Sequence, residues 1–179
     1  RASASEAQRL QAELEAVRAK SVALAPADLL DTAALPSLVD AALRAFGRLD
    51  GLVNNASSFY ATPLGAITSQ QWDDLIGTNV RAPLFLAQAA APALRATRGA
   101  IVNIADIHAE RPLKDYVVYS IAKAAVVSMT RSLARELWGG EGAASAGGLP
   151  GRTFGQGRVI SGMAPEKALA SLGVPPDFT

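Results

Sequence analysis

Tyr119 and Lys123 are the two residues whose types and spacing most directly suggest acid–base chemistry. They lie four residues apart near the start of a helical pattern, so both side chains are expected on one helix face. A tyrosine with its ordinary pKa of about 10 is a poor acid or base at neutral pH. An ammonium about 4–5 Å from the phenol, at an effective dielectric of about 20, favours the phenolate by roughly 3–4 kcal/mol. We therefore expect a lowered pKa for Tyr119, although the same spacing also fits an ordinary amphipathic helix.

Further polar residues occur where apolar segments end. Asn54, Asn55 and Ala56 follow one apolar run, and Asp106 ends the next, thirteen residues before Tyr119. Such runs are typical of strands buried in a parallel sheet, and ligands bind at the carboxyl ends of those strands. We expect these residues to line one site.

The elements that must position this site alternate along the chain between short apolar runs and helical patterns. That alternation predicts an α/β protein, a Rossmann-like three-layer fold with helices on both faces of a parallel sheet. The predicted strands are residues 21–25, 50–54 and 99–105, and the predicted helices are residues 4–19, 31–46, 70–94 and 116–137.

Local signals fix some of the predicted helix ends. Asp31 or Thr32 is a candidate N-cap for the second helix. Thr68 and Gln71 have the spacing of a capping box before the third helix. Pro83 falls inside that third helix, so we expect it to kink the helix or shift its start.

Composition limits the classes of function. The chain has 179 residues, which suits one domain, and its formal net charge is +1 with no basic stripe, which argues against a nucleic-acid partner. It has no cysteine, which excludes disulfides and fits a cytoplasmic protein, and its one histidine, His108, cannot form a His-rich metal site. No apolar run approaches the roughly 20 residues of a membrane span.

The ordered set of polar residues resembles the signature of the short-chain dehydrogenase/reductase family. That signature is Asn-Asn-Ala-Gly after a strand, an Asn on the next long helix, a Ser after the following strand, and Tyr-x-x-x-Lys. The same order occurs here in residues 54–57, Asn79, Asp106 and the Tyr119–Lys123 pair. Two positions differ from the signature, because Ser57 replaces the usual Gly and Asp106 replaces the usual Ser.

Both departures resemble the pteridine-reductase branch of the family. In that branch the run after the strand reads very nearly Asn-Asn-Ala-Ser-Ser-Phe-Tyr-x-Thr-Pro-Leu, which residues 54–64 reproduce. An aspartate takes the place of the serine there as well. The resemblance covers roughly residues 1–136.

The resemblance implies a catalytic and substrate-binding set. Tyr119 supplies a proton, Lys123 lowers the pKa of Tyr119 and binds the nicotinamide ribose, and Asn79 holds a water in the proton relay. Asp106 binds or protonates a pterin, and Phe59 stacks on its ring. Without a role in function, Phe59 would be a core-packing residue and Asp106 a turn or helix-cap residue.

The same resemblance implies NADPH as the cofactor. The glycine-rich phosphate loop of the family is expected upstream of Arg1. An Arg/Ser stretch binds the 2′-phosphate in this branch, and Arg1 and Ser3 match it. The remaining implied cofactor contacts are Asp28 and Leu29 at the adenine and Asn55, Ala56, Ser57, Tyr119 and Lys123 along the cofactor, with Ser57 also reaching the pterin.

The two ends of the chain fit the family less well than its middle. We expect residues 1–137 to form a partial short-chain dehydrogenase/reductase domain, so that the sheet is incomplete at both ends. Residues 138–179 form a divergent glycine-rich segment, because ten of the 15 glycines lie there. Within it, Val159 and Ile160 are candidates for a short strand, and residues 167–172 for a helical turn.

Three functions follow from these observations as competing hypotheses. The first is NADPH-dependent reduction of a dihydropterin or dihydrofolate, and the second is reduction of a ketone such as a 3-oxoacyl thioester or a sugar. The third is an inactive remnant that folds or oligomerises without binding cofactor. The helices at residues 70–94 and 116–137 are apolar on more than one face, which predicts a homodimer or homotetramer.

Overall fold

The computed structural model describes residues 4–138 and 158–162, and its centre is a parallel sheet. Strands β1 (Gly51–Asn54), β2 (Ala100–Ile104) and β3 (Arg158–Gly162) pair in the order β1-β2-β3. The described helices are α1 (Ala4–Val17), α2 (Leu35–Phe46), α3 (Ser69–Ile76), α4 (Ala82–Thr97) and α5 (Val117–Trp138). The parallel sheet and the strand predicted at Val159 and Ile160 are confirmed.

The apolar core forms between the sheet and helices α2, α4 and α5. Its members are small or branched side chains from these elements, namely Val39, Ala87, Ala90, Leu94, Ile101 and Ala134. On β1, Leu52 packs against this cluster, whereas half of the neighbouring Val53 side chain is exposed. Alternate residues of a strand face opposite sides, so one side of β1 is covered and the other is open among the described residues.

A buried chain of polar side chains ties β1, β2 and α5 together. Asn54 donates to Asn103 on the neighbouring strand (2.7 Å), and Asn103 donates to the Thr130 hydroxyl on α5 (3.0 Å). Thr130 in turn donates to the carbonyl of Val126 (2.7 Å). Because a buried polar group without a partner is costly, these bonds fix the register of the strands beneath the helix that carries Tyr119.

Two of the predicted elements are wrong in part. Residues 21–25 form no strand, because a strand needs a neighbour to bond its backbone and none of the described strands lies beside them. Helix α2 begins at Leu35, after the predicted cap. Asp31 instead accepts the N–H groups of Ala33 and Ala34 (3.2 and 3.3 Å) and closes the turn before the helix.

The helix predicted at residues 70–94 is interrupted, as Pro83 indicated. The capping box of Thr68 and Gln71 starts α3, and a π turn, Gly77–Arg81, separates α3 from α4. Pro83 has no N–H, so the Asn79 carbonyl four residues earlier lacks its α-helical donor. The turn widens here, with the N–H of Ala82 bonding to the carbonyl of Gly77. Wider turns of this kind are frequent at functional sites.

No helix in the described ranges has both the length and the apolar character that crossing a bilayer requires. The helical turn predicted at residues 167–172 lies outside the described residues, as do most of residues 138–179.

Candidate active site at the carboxyl end of the sheet

The centre of the site is a hydrogen bond between Tyr119 and Asp106. Tyr119 lies in the first turn of α5, and its hydroxyl donates to Oδ2 of Asp106 over 2.7 Å. Asp106 follows β2 and caps a short 3₁₀ turn, Ile107–Ala109, by accepting the N–H of His108 at Oδ1 (3.0 Å). Asp106 is therefore both a cap, as its non-functional interpretation predicts, and the hydrogen-bond acceptor of Tyr119.

The acidity of Tyr119 departs from the sequence prediction. Burial and the hydrogen bond to Asp106 raise the pKa of Tyr119 above that of free tyrosine, so the predicted lowering is wrong for this arrangement. The Lys123 ammonium lies 5.5 Å from the centre of the Tyr119 ring and donates to the carbonyl of Ile104 (3.0 Å). The nearer charge is thus the Asp106 carboxylate, which favours the protonated phenol.

Asp106 is held in its charged form. Burial alone would raise the pKa of Asp106, but hydrogen bonds from the His108 N–H and the Tyr119 hydroxyl outweigh it and hold that pKa below its usual value. At neutral pH the pair is therefore a carboxylate that accepts a hydrogen bond from a neutral phenol. Tyr119 is a proton donor rather than a phenolate base in this state.

Asn79 lies in the π turn and fixes the loop that follows β1. Its amide group donates to the carbonyls of Ser58 (3.0 Å) and Leu75 (2.9 Å), and its Oδ1 accepts the Ser57 hydroxyl (2.6 Å). Only 3% of Asn79 is exposed. Both amide hydrogens of Asn79 are thus used and its oxygen positions Ser57, while Pro83 leaves its backbone carbonyl without an α-helical donor.

Thr62, which the sequence analysis missed, couples the same loop to α5. Its hydroxyl accepts the N–H of Val118 (3.1 Å), and its own N–H donates to the carbonyl of Asp115 (2.6 Å). Thr62 thereby satisfies a donor at the start of α5 in the manner of an N-cap, although it is 56 residues away in sequence. Only its position in the Thr-Pro-Leu part of the family motif pointed to it.

Phe59 completes an aromatic group around the phenol. Its ring stacks on Tyr116 (centroids 4.7 Å apart, planes 18° apart) and meets Tyr119 edge-on (4.7 Å, 73°). Phe59 is 53% exposed, so it is not a core residue. The structure therefore brings Phe59, Asp106 and Tyr119 together, with part of the Phe59 ring open to solvent.

Comparison with known proteins identifies the lineage of this arrangement. Residues 1–140 match the sequence profile described as short chain dehydrogenase. The chain belongs to the short-chain dehydrogenase family. A solved short-chain dehydrogenase/reductase of Serratia marcescens, a double mutant, superimposes with a TM-score of 0.71 at 33% identity, covering 76% of this chain and 55% of the other. The Rossmann-like α/β fold is thereby confirmed.

Curated members of the family carry different names. Pteridine reductase 1 of Leishmania tarentolae is 38% identical over 75% of this chain and 60% of its own length. D-xylose 1-dehydrogenase of Caulobacter vibrioides is 40% identical over 55% of this chain and 40% of its own length. The chain thus spans about half of the length of the curated relatives that it matches.

Short-chain dehydrogenases use NAD(P)(H), and the Lys123 ammonium fits the nicotinamide ribose of such a cofactor. Its ammonium is buried, which lowers its pKa, while the charge of Asp106 opposes that effect. An ammonium has three donors, and the hydrogen bond from Lys123 to Ile104 uses one of them. Within the part of the chain that the structure describes, two donors therefore remain for hydroxyl oxygens such as those of a ribose.

The other cofactor residues predicted by family resemblance are only partly brought together. Asn55, Ala56 and Ser57 are exposed directly after β1, at the same sheet edge as Tyr119 and Lys123. Asp28 and Leu29 lie in a turn next to the π turn. A Cβ placed on Gly77 would approach the Leu30 side chain to 2.5 Å, so this turn packs tightly against the helix of Asn79.

Two of the predicted phosphate-binding residues cannot be placed. Arg1 and Ser3 lie outside the described residues. In the turn before α2, one carboxylate oxygen of Asp28 already accepts the N–H of Leu30 (2.9 Å). A contact from Asp28 to an adenine would therefore use its other oxygen.

Proposed function

We propose that this protein reduces a dihydropterin or dihydrofolate to the tetrahydro form with NADPH. The observation that carries the proposal is the hydrogen bond between Tyr119 and Asp106 beside the exposed Phe59 ring. An aspartate at this position distinguishes the site from the serine-containing sites of the wider family. The 38% identity to a protein named pteridine reductase 1 supports the same reading.

The reaction needs a hydride on a C=N carbon and a proton on the nitrogen, and NADPH supplies the hydride. Tyr119 is neutral and supplies the proton. The exposed part of the Phe59 ring offers a stacking surface for a flat heteroaromatic substrate. Asp106 accepts hydrogen bonds from the amino-pyrimidine edge more strongly than a hydroxyl would.

Asn79 takes part through its backbone in this proposal. Its side chain is occupied by Ser57, Ser58 and Leu75, so a relay water would be held by the carbonyl that Pro83 leaves without an α-helical donor. Ser57 donates its hydroxyl hydrogen to Asn79, so its lone pairs remain for donors on a pterin. To bind a cofactor phosphate, which only accepts, the hydroxyl would have to turn away from Asn79.

The ketone-reductase alternative has a specific basis in the relative named D-xylose 1-dehydrogenase. Steady-state assays separate the two functions: NADPH oxidation with dihydrobiopterin, dihydrofolate or a 3-oxoacyl thioester, and NADP⁺ reduction with D-xylose. We expect kcat/KM to be highest for one of the two pterin substrates. A preference for the thioester or for D-xylose would assign the alternative function instead.

The inactive-remnant alternative is tested by cofactor binding alone. The chain has two tryptophans, Trp72 and Trp138, whose fluorescence reports a titration with NADPH. An active member of the family must show saturable quenching. Absence of binding, in a chain that circular dichroism shows to be folded, favours the remnant.

Cofactor preference provides a prediction for Arg1. If its guanidinium binds the 2′-phosphate, with Ser3 beside it, NADPH binds more tightly than NADH. Arg1→Ala should then weaken NADPH binding by about 1.5–3 kcal/mol, the range for a charged hydrogen bond, while leaving NADH unchanged. Paired titrations with both cofactors measure this difference, and an unaltered preference in the variant would refute the role of Arg1.

We further propose that the protein is a homodimer or homotetramer through α4 and α5. Leu84, Phe85 and Ile121 are exposed on these helices by 42%, 39% and 44%. An open groove runs between the helices, lined by Leu84, Ala125, Ser128, Met129, Ser132, Leu133 and Glu136. An apolar surface of this kind is stabilised when a second copy covers it.

Leu84→Glu should therefore shift the protein toward monomer, since it places a charge in the proposed interface. Light scattering at micromolar concentration measures the mass of parent and variant. Gln70→Glu, which adds the same charge at an exposed position on α3, outside the groove and both interface helices, is the matched control. A monomeric parent, or a Leu84→Glu variant with the parent mass, contradicts the proposal.

A further inference from the structure

Arg81, the last residue of the π turn, lies on a different face of that turn from Asn79. Arg81 and Gly77 are four residues apart and share one face, whereas Asn79 bonds to the loop that follows β1. The Arg81 side chain runs back along the shared face, because a Cβ placed on Gly77 would lie 3.1 Å from Nη2 of Arg81. The guanidinium therefore occupies part of the space that the missing side chain of Gly77 leaves.

Leu30 shares that space with Arg81. The same Cβ on Gly77 would lie 2.5 Å from Cδ2 of Leu30, whose residue is 40% exposed. Leu30 follows Asp28 and Leu29, and one oxygen of the Asp28 carboxylate accepts the N–H of Leu30 (2.9 Å), which holds the turn. An apolar side chain and a planar cation thus lie side by side, next to the segment that family resemblance assigns to the adenine.

The Arg81 guanidinium has no polar partner within the described ranges. Arg81 is exposed, and the ion pairs found in those ranges involve Arg9, Arg48 and His108 instead. None of the described residues accepts a hydrogen bond from the Arg81 guanidinium. A guanidinium of this kind keeps its five N–H donors and a face of its plane for a ligand.

We propose that Arg81 binds the adenosine half of the dinucleotide cofactor by stacking its guanidinium plane on the adenine ring. The inference rests on the proposed use of NADPH and on the adenine placement implied for Asp28 and Leu29. A guanidinium stacks on aromatic rings, and a purine is such a ring. The amino group of the adenine can donate to the Asp28 oxygen that the turn does not use.

The π turn explains why the two halves of a dinucleotide site come to one place. On one face, Asn79 holds Ser57 and Ser58, which follow β1 at the sheet edge of Tyr119. On another face, Gly77 gives room to the turn that precedes α2. Since both segments are fixed to the same five residues, an arginine at the end of the π turn is placed to contact a cofactor that extends between them.

Binding measurements test the contact without any substrate. Arg81→Met keeps a long side chain but removes the planar cation, so the Kd for NADPH should rise about three- to tenfold. The affinity for reduced nicotinamide mononucleotide, which lacks adenine, should not change. Arg44→Met is the matched control, because it removes an exposed arginine in the last turn of α2. Parental NADPH affinity in Arg81→Met, or an equal loss for both ligands, overturns the proposal.

A second variant separates stacking from an ion pair with a cofactor phosphate. Arg81→Lys keeps the charge but has no plane, so stacking predicts that it recovers only part of the lost affinity. Protons above an aromatic ring are shielded, so the δ-methylene signals of Arg81 should move upfield in NMR spectra when NADPH is added. Parental affinity in Arg81→Lys, or the absence of this upfield shift, overturns the stacked contact.

Gly77→Ala tests the same space without removing the arginine. Its Cβ must displace the Leu30 side chain and press on the Arg81 guanidinium, so NADPH binding should weaken in the same direction as in Arg81→Met. Circular dichroism checks that the variant is folded. Parental NADPH affinity in a folded Gly77→Ala variant would contradict an adenine site beside Gly77.

The outcomes separate this proposal from the proposed function. If the parent binds NADPH but reduces a ketone and not a pterin, the pterin assignment fails, and the binding tests still decide the role of Arg81. If the parent reduces a pterin and Arg81→Met binds NADPH as tightly as the parent, the proposed function stands and the role of Arg81 fails. A parent that binds no NADPH contradicts both.

Discussion

Replacing Tyr119 with phenylalanine should lower kcat for dihydropterin reduction by about 10²–10⁴-fold, the range expected when a general acid is lost. The hydroxyl of Tyr119 is the proton donor in the proposed reaction, and its bond to Asp106 places it beside the stacking surface of Phe59. The variant keeps the ring that packs edge-on against Phe59. Substrate binding should therefore change little, and the loss should fall on kcat rather than KM.

Tyr116→Phe is the matched control for this variant. It removes a hydroxyl from an aromatic ring in the same cluster and keeps the ring that stacks on Phe59. Steady-state kinetics on both variants should show a large loss of kcat only in Tyr119→Phe. Similar losses in the two variants, or none in Tyr119→Phe, would remove Tyr119 from the proposed chemistry.

Replacing Asp106 with serine should lower pterin turnover by roughly tenfold or more, because the variant loses the carboxylate that pairs with the amino-pyrimidine edge. Serine is the residue common at this position in the wider family, so the change favours carbonyl substrates relative to pterins. NADPH affinity should stay nearly constant, since Asp106 faces Tyr119 and the 3₁₀ turn. Parallel kinetics and NADPH titrations measure the two effects separately.

The same variant has a spectroscopic consequence. Because the hydrogen bond and charge of Asp106 contribute to the raised pKa of Tyr119, Asp106→Ser should lower the pKa of Tyr119 toward that of free tyrosine. The phenolate absorbance near 295 nm follows this titration. Asp73→Ser, which removes an exposed carboxylate on α3, should leave it unchanged. Pterin turnover at the parental rate in Asp106→Ser would favour a ketone reductase.

The sequence predicted the meeting of Asp106 and Tyr119 for a physical reason. Side chains at the carboxyl ends of neighbouring parallel strands must gather at one edge, and a residue in the first turn of the next helix faces the same edge. The capping box at Thr68 was equally predictable, because it depends on two residues three positions apart. Local rules of this kind carry most of the correct predictions.

The errors came from contacts that no local rule contains. Spacing placed Lys123 on the Tyr119 face of α5 but did not reveal that its ammonium bonds to Ile104, which left Asp106 as the nearer charge. Residues 21–25 have the composition of a strand, but a strand forms only where a neighbour supplies hydrogen bonds. Thr62 caps α5 from 56 residues away, a relation visible only after folding.

Isotope transfer tests the central claim most directly. NADPH carrying deuterium as the transferable hydrogen at C4 of the nicotinamide is incubated with the protein and dihydrobiopterin, and the product is analysed by mass spectrometry and NMR. The proposed function predicts tetrahydrobiopterin with one deuterium on a ring carbon, formed far more slowly by Tyr119→Phe. Deuterium that passes to a ketone or a sugar, and not to the pterin, would contradict it.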